Sequence, residues 1–458
     1  MNGPRRNPRQ RLLAFASDGG GEAPNADDGR VEPSTAKHPP ERPADNEHLM
    51  EAICNRENLQ AALKRVLSNK GGPGVDGMTV AQLPGYLRER WPALREQLLA
   101  GAYRPRPVRR VTIPKPAGGK RKLGIPTVVD RFIQQAVLQV LQPAWDPTFN
   151  DHSYGFRPGR SAHQAVACAQ GYMNAGHTWV VDLDLEKFFD RVHHDRLMAS
   201  VAKRVSDKRL LKLLRAFLNA GVMDAGLVRP TREGTPQGGP LSPLLSNLVL
   251  DELDRELTRR GHRFVRYADD CNIFVQSERA GLRVLASITR FITGKLKLKV
   301  NAAKSAVARP WERTFLGFTF TRGLLRRAAP GSIQRFKSKV RRLTGRMRGR
   351  SLTQVIRSLS PLLRGWRAYF GFAQTNERRD LDGWIARRLR CLVWKHWGRG
   401  RRRFLELRRG GVLHSLAART VWSIQGPWRA SLTIAMSRAL PRRRLDALGL
   451  PRLWPVVR

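Results

Sequence analysis

An α+β body followed by a helical, strongly basic C-terminal part is the fold class this sequence predicts, on three observations. Between about residues 100 and 330, short β-prone runs alternate with helical segments. Beyond about residue 330 the apolar spacing is helical alone. Residues 321–410 carry 26 Lys/Arg against 4 Asp/Glu, nearly half of the chain's net charge of +47.

Taken in order, residues 1–46 are rich in Pro, Gly, Asp, Asn and Arg without apolar periodicity, which predicts a disordered tail. From Glu47 the run "LMEAICNRENLQAALKRVLSN" sets Leu49, Ile53, Leu59, Leu63, Val66 and Leu67 near one face of a helix, and "GGPGVDG" ends it. The runs "VRRVTIP", "WVVDLDL", "RFVRYADDCNIFV" and "RTFLGFTF" predict strands, whereas "TVVDRFIQQAVLQVLQPAW" and "LSPLLSNLVLDELDRELTRRG" predict helices. In the basic part Trp366, Tyr369, Phe370, Trp384, Trp394 and Trp397 interleave with the cations. They suit base stacking beside phosphate contacts, or equally the core of a small helical domain.

The 458 residues allow several domains, and 41% hydrophobic content supports a sizeable core. A surplus of 84 Lys+Arg over 37 Asp+Glu calls for a polyanionic partner, nucleic acid first. A membrane is disfavoured, because no apolar run approaches the roughly 18 residues a span needs, and the basic N-terminus lacks the apolar core of a signal peptide. Cys54, Cys168, Cys271 and Cys391 lie more than a hundred residues apart, which argues against structural zinc and a disulfide framework and for a reducing cytoplasm. His193 and His194 have no third ligand at metal spacing and are expected to cap or pack.

The chemistry is carried by carboxylates. "FVRYADDCNIFV" (264–275) sets Asp269 and Asp270 side by side in a β-prone run. Two anions about 5 Å apart repel by roughly 3 kcal/mol at an effective dielectric of about 20. Either the pair faces water or a cation lies between them. "TWVVDLDLEKFFDRVHHDRLM" (178–198) puts Asp182 and Asp184 on one strand face, where aspartate is depleted. A solvent-facing edge would explain this run alone. Together the two clusters have the make-up of a two-metal phosphoryl-transfer site, with Mg2+ favoured by hard oxygen ligands.

"RYADD", the upstream "DLDLEKFFD" and the intervening "GTPQGGPLSPLLSNLVLDELD" resemble the reverse transcriptases encoded by group II introns, the intron maturases. "RPVRRVTIPKPAGGKRKLGIPTVVDRFIQQAV" and "HSYGFRPGRSAHQAV" resemble that family's fingers blocks, and "FLGFTF" the block closing the palm. "SIQRFKSKVRRLT" through "SLSPLLRGWRAYF" resembles the maturase thumb, domain X. The resemblance implies a right-hand polymerase: fingers and palm with an antiparallel palm sheet over 47–322, a helical thumb over 323–400, and a basic nucleic-acid-binding segment over 401–458. That last segment could meet RNA or target DNA, or be a solvated tail. The resemblance implies the short form without an HNH endonuclease, acting in a bacterial cytoplasm near the nucleoid.

Carried onto these positions, the family's roles make Asp184, Asp269 and Asp270 the ligands of two Mg2+ ions, with Asp182 in reserve for the first. Phe188 matches the steric gate that excludes a 2′-hydroxyl, and Phe189 is the adjacent alternative. Lys115 and Arg121 match cations that hold the dNTP triphosphate, although a basic hairpin could instead meet template; Gln237 matches a residue lining the nucleotide pocket. Arg157 is similar to a template contact, or forms a structural ion pair; Lys337, Lys339, Arg341 and Arg342 fall on the basic thumb helix. The implied partners are an RNA template, the intron RNA, a DNA primer or target, and dNTPs. The implied activity is RNA-directed DNA polymerisation with assistance to splicing. A free-standing reverse transcriptase in defence or repair, or an RNA-binding splicing factor with a vestigial site, are the alternatives.

Overall fold

The computed structural model describes residues 47–114, 120–224, 227–229, 234, 238–345, 349–423 and 425–454. The disordered tail expected over 1–46 lies outside them. The first helical run is two helices, Leu49–Ile53 and Arg56–Asn69, because Asn55 accepts a 2.9 Å bond from the Glu57 N–H and caps the second.

Among the described residues ten strands form three sheets. β1 (Val108–Pro114) and β2 (Lys120–Ile125) pair antiparallel. β3 (Trp179–Leu183) stands apart from them, while β4 (Val222–Asp224) and β5 (Leu227–Arg229) extend the first sheet to the order β2-β1-β4-β5. β6 (Arg263–Tyr267), β7 (Asp270–Val275) and β8 (Ala306–Ala308) join β3 in an antiparallel sheet of order β6-β7-β3-β8. β9 (Phe318–Phe320) and β10 (Arg326–Ala328) make a separate hairpin. The expected strand "RTFLGFTF" narrows to β9, since Leu316 and Gly317 both take left-handed backbone and turn the chain before it.

The sheet containing β3 is covered on both sides, which is why its strands are so apolar. Val181, Leu183, Phe264, Cys271 and Ile273 belong to the main core with the helices Val128–Trp145 and Ser242–Arg259. Val180, Val265 and Phe274 face the helix Ala162–Asn174 and Phe318.

The helices Pro330–Leu343, Leu352–Phe370 and Glu377–His396 share a core of Phe336, Val355, Leu359, Leu363 and Leu389. Leu440, Leu445, Leu450 and Leu453 return to that same core, so the chain beyond residue 400 is not a solvated tail. The aromatics of this region are mainly structural. Trp366 is 8% exposed and stacks on Phe336 and Phe370, and Trp394 is 1% exposed. No described helix is long and apolar enough to cross a membrane.

Candidate active site

The hairpin β6–β7 reverses through Ala268 and Asp269, since Tyr267 pairs directly with Asp270. Ala268 takes a left-handed φ of 57°, which a side chain makes costly, so the turn is held by its surroundings. Gly155 is one such support. A Cβ there would lie 2.2 Å from the Ala268 nitrogen, so only glycine lets the two backbones meet.

Along β3 and β7, Val180 pairs with Phe274, Asp182 with Asn272 and Leu183 with Cys271. Asp184 and Asp270 are the residues next beyond that last pair. Directly opposed residues share a face with Cβ atoms about 5 Å apart. One sheet face is thus apolar at Val180 and Phe274 and acidic at its other end, beside the turn that carries Asp269.

The loop after residue 300 grips Asp184. Its Oδ2 accepts 2.9 Å bonds from Asn301 Nδ2 and from the Lys304 ammonium. Its main-chain N–H donates to Ser305 Oγ at 3.0 Å, and its carbonyl accepts from the Asn301 N–H at 2.8 Å. Asp182 is turned instead to Arg313, whose Nε and Nη2 lie 2.9 and 2.5 Å from its Oδ2; the same Nη2 donates to the Lys304 carbonyl at 2.6 Å. Burial holds the Asp182 carboxyl above the ordinary carboxylate range against the pull of Arg313.

Asp270 is exposed at the start of β7, next to other carboxylates. Desolvation, then the charges of Asp269, Asp182 and Asp184, push its carboxyl up to about 7, with Lys304 opposing. This is an excess of negative charge that a divalent cation would relieve, and the donors are hard carboxylate oxygens suited to Mg2+. Among the described residues no three such side chains stand close enough to enclose an ion, and Lys304 is the cation paired with Asp184. In donor type and in charge the cluster fits magnesium.

The other expected residues are placed unequally. Phe188 is 2% exposed and packs in the main core, and the adjacent Phe189 is half-buried, with its ring centroid 5.2 Å from that of Phe188. Arg157 is a correction. It is 7% exposed, ion-paired with Asp146 at 2.9 Å and bonded to the carbonyls of Asn150, Ser153 and Asp146, so its donors are spent inside the fold. Arg121 stands on β2 opposite Ile113. Lys115 and Gln237 lie outside the described residues.

The described ends of the "GTPQGG" loop are firmly seated. His194 Nε2 is 2.6 Å from the Gly234 carbonyl, a packing role as expected, and a Cβ on Gly238 (φ 136°) would lie 2.5 Å from the Gly124 carbonyl. On the basic helix, Arg341 and Arg342 are exposed and Lys339 is half-buried. Lys337 and Arg341 both lie beside the Trp384 ring, at 5.8 and 5.7 Å from its centroid.

Sequence reasoning passed over Asn301, Lys304 and Arg313, which meet β3 only through the fold. It also passed over Arg266, whose charge within an apolar strand was as anomalous as that of the aspartates.

The reverse transcriptase (RNA-dependent DNA polymerase) family matches residues 113–320, and the group II intron maturase-specific domain matches residues 333–411. Protein YkfC of Escherichia coli (strain K12) is 37% identical over 301 residues, 57% of this chain and 79% of YkfC. The group II intron-encoded protein LtrA of Lactococcus lactis is 37% identical over 206 residues, 45% of this chain and 34% of LtrA, so the alignment spans about a third of that relative. A solved partial Cas6-RT-Cas1–Cas2 complex has a chain 23% identical, with 54% of this chain and 42% of that one covered at a TM-score of 0.35.

Proposed function

The chain belongs to the group II intron-encoded reverse transcriptases and maturases and is an RNA-directed DNA polymerase; on that premise we propose that Asp184, Asp269 and Asp270 form its catalytic centre. One observation carries the assignment: Asp184 and Asp270 are the residues next beyond the last β3–β7 pair, Leu183 with Cys271, and Asp270 follows the turn that holds Asp269.

The cofactor in this reading is Mg2+, two ions held by those three carboxylates. When bound, it supplies charge that activates the primer 3′-oxygen and stabilises the oxygens of the α-phosphate and leaving group. The chain's own residues set the stage. Asn301 and the Ser305–Asp184 main-chain bond fix where Asp184 points, and Lys304 neutralises its charge until metal arrives. Asp182 steadies the same loop through Arg313 and the Lys304 carbonyl, a supporting role that takes it out of reserve for metal. Phe189 replaces Phe188 as the ring beneath the sugar, where it selects dNTPs over rNTPs. Lys115, Arg121 and Gln237 hold the incoming triphosphate and base.

Nucleic acid is the partner that a net charge of +47 and both domain matches support. Arg341, Arg342, Lys337 and Lys339 form part of the RNA-gripping surface, and the RNA is the chain's own intron, as the maturase-domain match favours. Splicing assistance and mobility follow from that attachment.

Primer extension on an RNA template tests the centre. Asp269→Ala is expected to reduce dNTP incorporation at least about a thousandfold with RNA affinity kept. Retained incorporation sinks the assignment.

A further inference from the structure

Arg266 is an arginine near the end of β6, 0% exposed. A buried guanidinium is tolerated only where its charge and every N–H find partners. Here they do. Nε and Nη2 fork onto Asp254, at 2.7 Å to Oδ1 and 2.5 Å to Oδ2. Nη2 also donates to Ser153 Oγ at 2.7 Å. Nη1 donates to Asn247 Oδ1 at 3.0 Å and to the Ala268 carbonyl at 2.8 Å. Five donors meet five acceptors.

The last of these bonds is the telling one, because Ala268 is the left-handed residue of the turn and Asp269 and Asp270 follow it directly. The remaining acceptors anchor that turn to two neighbours. Asp254 and Asn247 lie on the helix Ser242–Arg259, which begins five residues after Gln237 in the sequence. Ser153 belongs to the segment that runs beside β6, where the Tyr154 N–H donates to the Arg266 carbonyl and the Arg266 N–H to the His152 carbonyl, both at 2.9 Å. Asn247 Nδ2 closes the ring by donating to the Gly155 carbonyl at 2.8 Å.

We propose that Arg266 is a positioning residue for polymerisation: its guanidinium pins the strained Ala268 carbonyl and thereby aims Asp269 and Asp270, tying the catalytic turn to the helix Ser242–Arg259. The inference rests on the reading of Asp269 and Asp270 as metal ligands. It explains why an ion pair is kept at a site that apolar side chains could fill.

The test is Arg266→Lys, which keeps the charge facing Asp254 but cannot reach Asp254, Asn247, Ser153 and Ala268 together. The measurements are single-turnover incorporation against Mg2+ concentration, the dNTP KM, RNA affinity, and a thermal melt showing the protein folded at the assay temperature. The rate is expected to fall about 30-fold and the Mg2+ midpoint to rise about five- to tenfold, with dNTP KM and RNA affinity within about twofold. A lost or misfolded fraction lowers the rate without moving the Mg2+ midpoint, so an unmoved midpoint overturns the proposal.

If the lysine variant does not fold, Ser153→Ala and Asn247→Leu each remove one acceptor and keep the Asp254 pair. A midpoint raised about two- to threefold in either supports the proposal, and no rise in both overturns it. Asp269→Ala run alongside separates the two claims. If it stays active, both fall; if it is dead while Arg266→Lys keeps the parent's Mg2+ midpoint, only this inference does.

Discussion

Substituting Gly155 by alanine asks how closely the Ala268–Asp269 turn must be held. The new Cβ would lie 2.2 Å from the Ala268 nitrogen, 2.9 Å from the Tyr267 carbonyl carbon and 3.0 Å from the Ala268 Cα. Ordinary van der Waals contact begins at 3.4 Å, and all three obstacles are backbone, so the two segments must separate by about 1.2 Å. Overpacking of this kind costs roughly 1–3 kcal/mol. That is less than the total stability of roughly 5–15 kcal/mol, so the protein folds. Catalysis suffers more, because a misplacement of about 1 Å is worth about a hundredfold in rate. The displaced atoms adjoin the Arg266 main-chain bonds and the Asn247 bond to the Gly155 carbonyl, so little of the shift is absorbed elsewhere. Single-turnover extension of a primer on RNA, with RNA binding and melting temperature as controls, is the assay. A folded Gly155→Ala protein within about threefold of the parent rate would refute the claim that this contact aims the turn.

Three further outcomes follow from the same geometry. Asp184→Asn is expected to lose about a thousandfold or more in incorporation, whereas Asp182→Asn, its partner being Arg313, loses about tenfold at most; equal losses in extension assays contradict the division of roles. Phe189→Ala is expected to raise rNTP use in nucleotide-competition assays. Phe188→Ala leaves selectivity alone and destabilises by about 3–5 kcal/mol in denaturant unfolding, because Phe188 is 2% exposed. In metal-free protein the Asp270 carboxyl sits at about 7 against an ordinary 3.8, so the folded state holds its proton more tightly. The stability that this contributes is complete below about pH 4 and lost as pH rises through about 7. After screening at its exposed edge the loss is about 1 kcal/mol. Asp270→Asn should therefore melt higher than the parent above neutrality and equally near pH 4; parallel melting curves in EDTA would count against it.

Much of this site was legible because aspartate is so out of place in a buried strand. Asp182, Asp184, Asp269 and Asp270 stood out against apolar neighbours, and period-two alternation already put the first two on one face. Which of Phe188 and Phe189 is buried was not legible, since they adjoin in a four-residue helix, Phe188–Arg191, whose rotation is set by packing rather than by periodicity. Nor was the grip on Asp184, because Asn301 and Ser305 reach it across more than a hundred residues of chain. Arg157 and Arg266 show the limit from the other side. A charge in the sequence states nothing about whether its donors end in solvent, on a ligand, or on the protein's own carbonyls and carboxylates.

The return of Leu440, Leu445, Leu450 and Leu453 to the core of the helices over 330–396 has a consequence in time. Synthesis proceeds from the N-terminus, and compact units fold as they emerge. The sheet bearing the carboxylates needs nothing beyond Ala308 to complete its strands. The three helices that follow keep an apolar seam open until Leu453 has left the ribosome. A nascent chain therefore holds all four strands of that sheet before the last apolar residues of the helical core have been made.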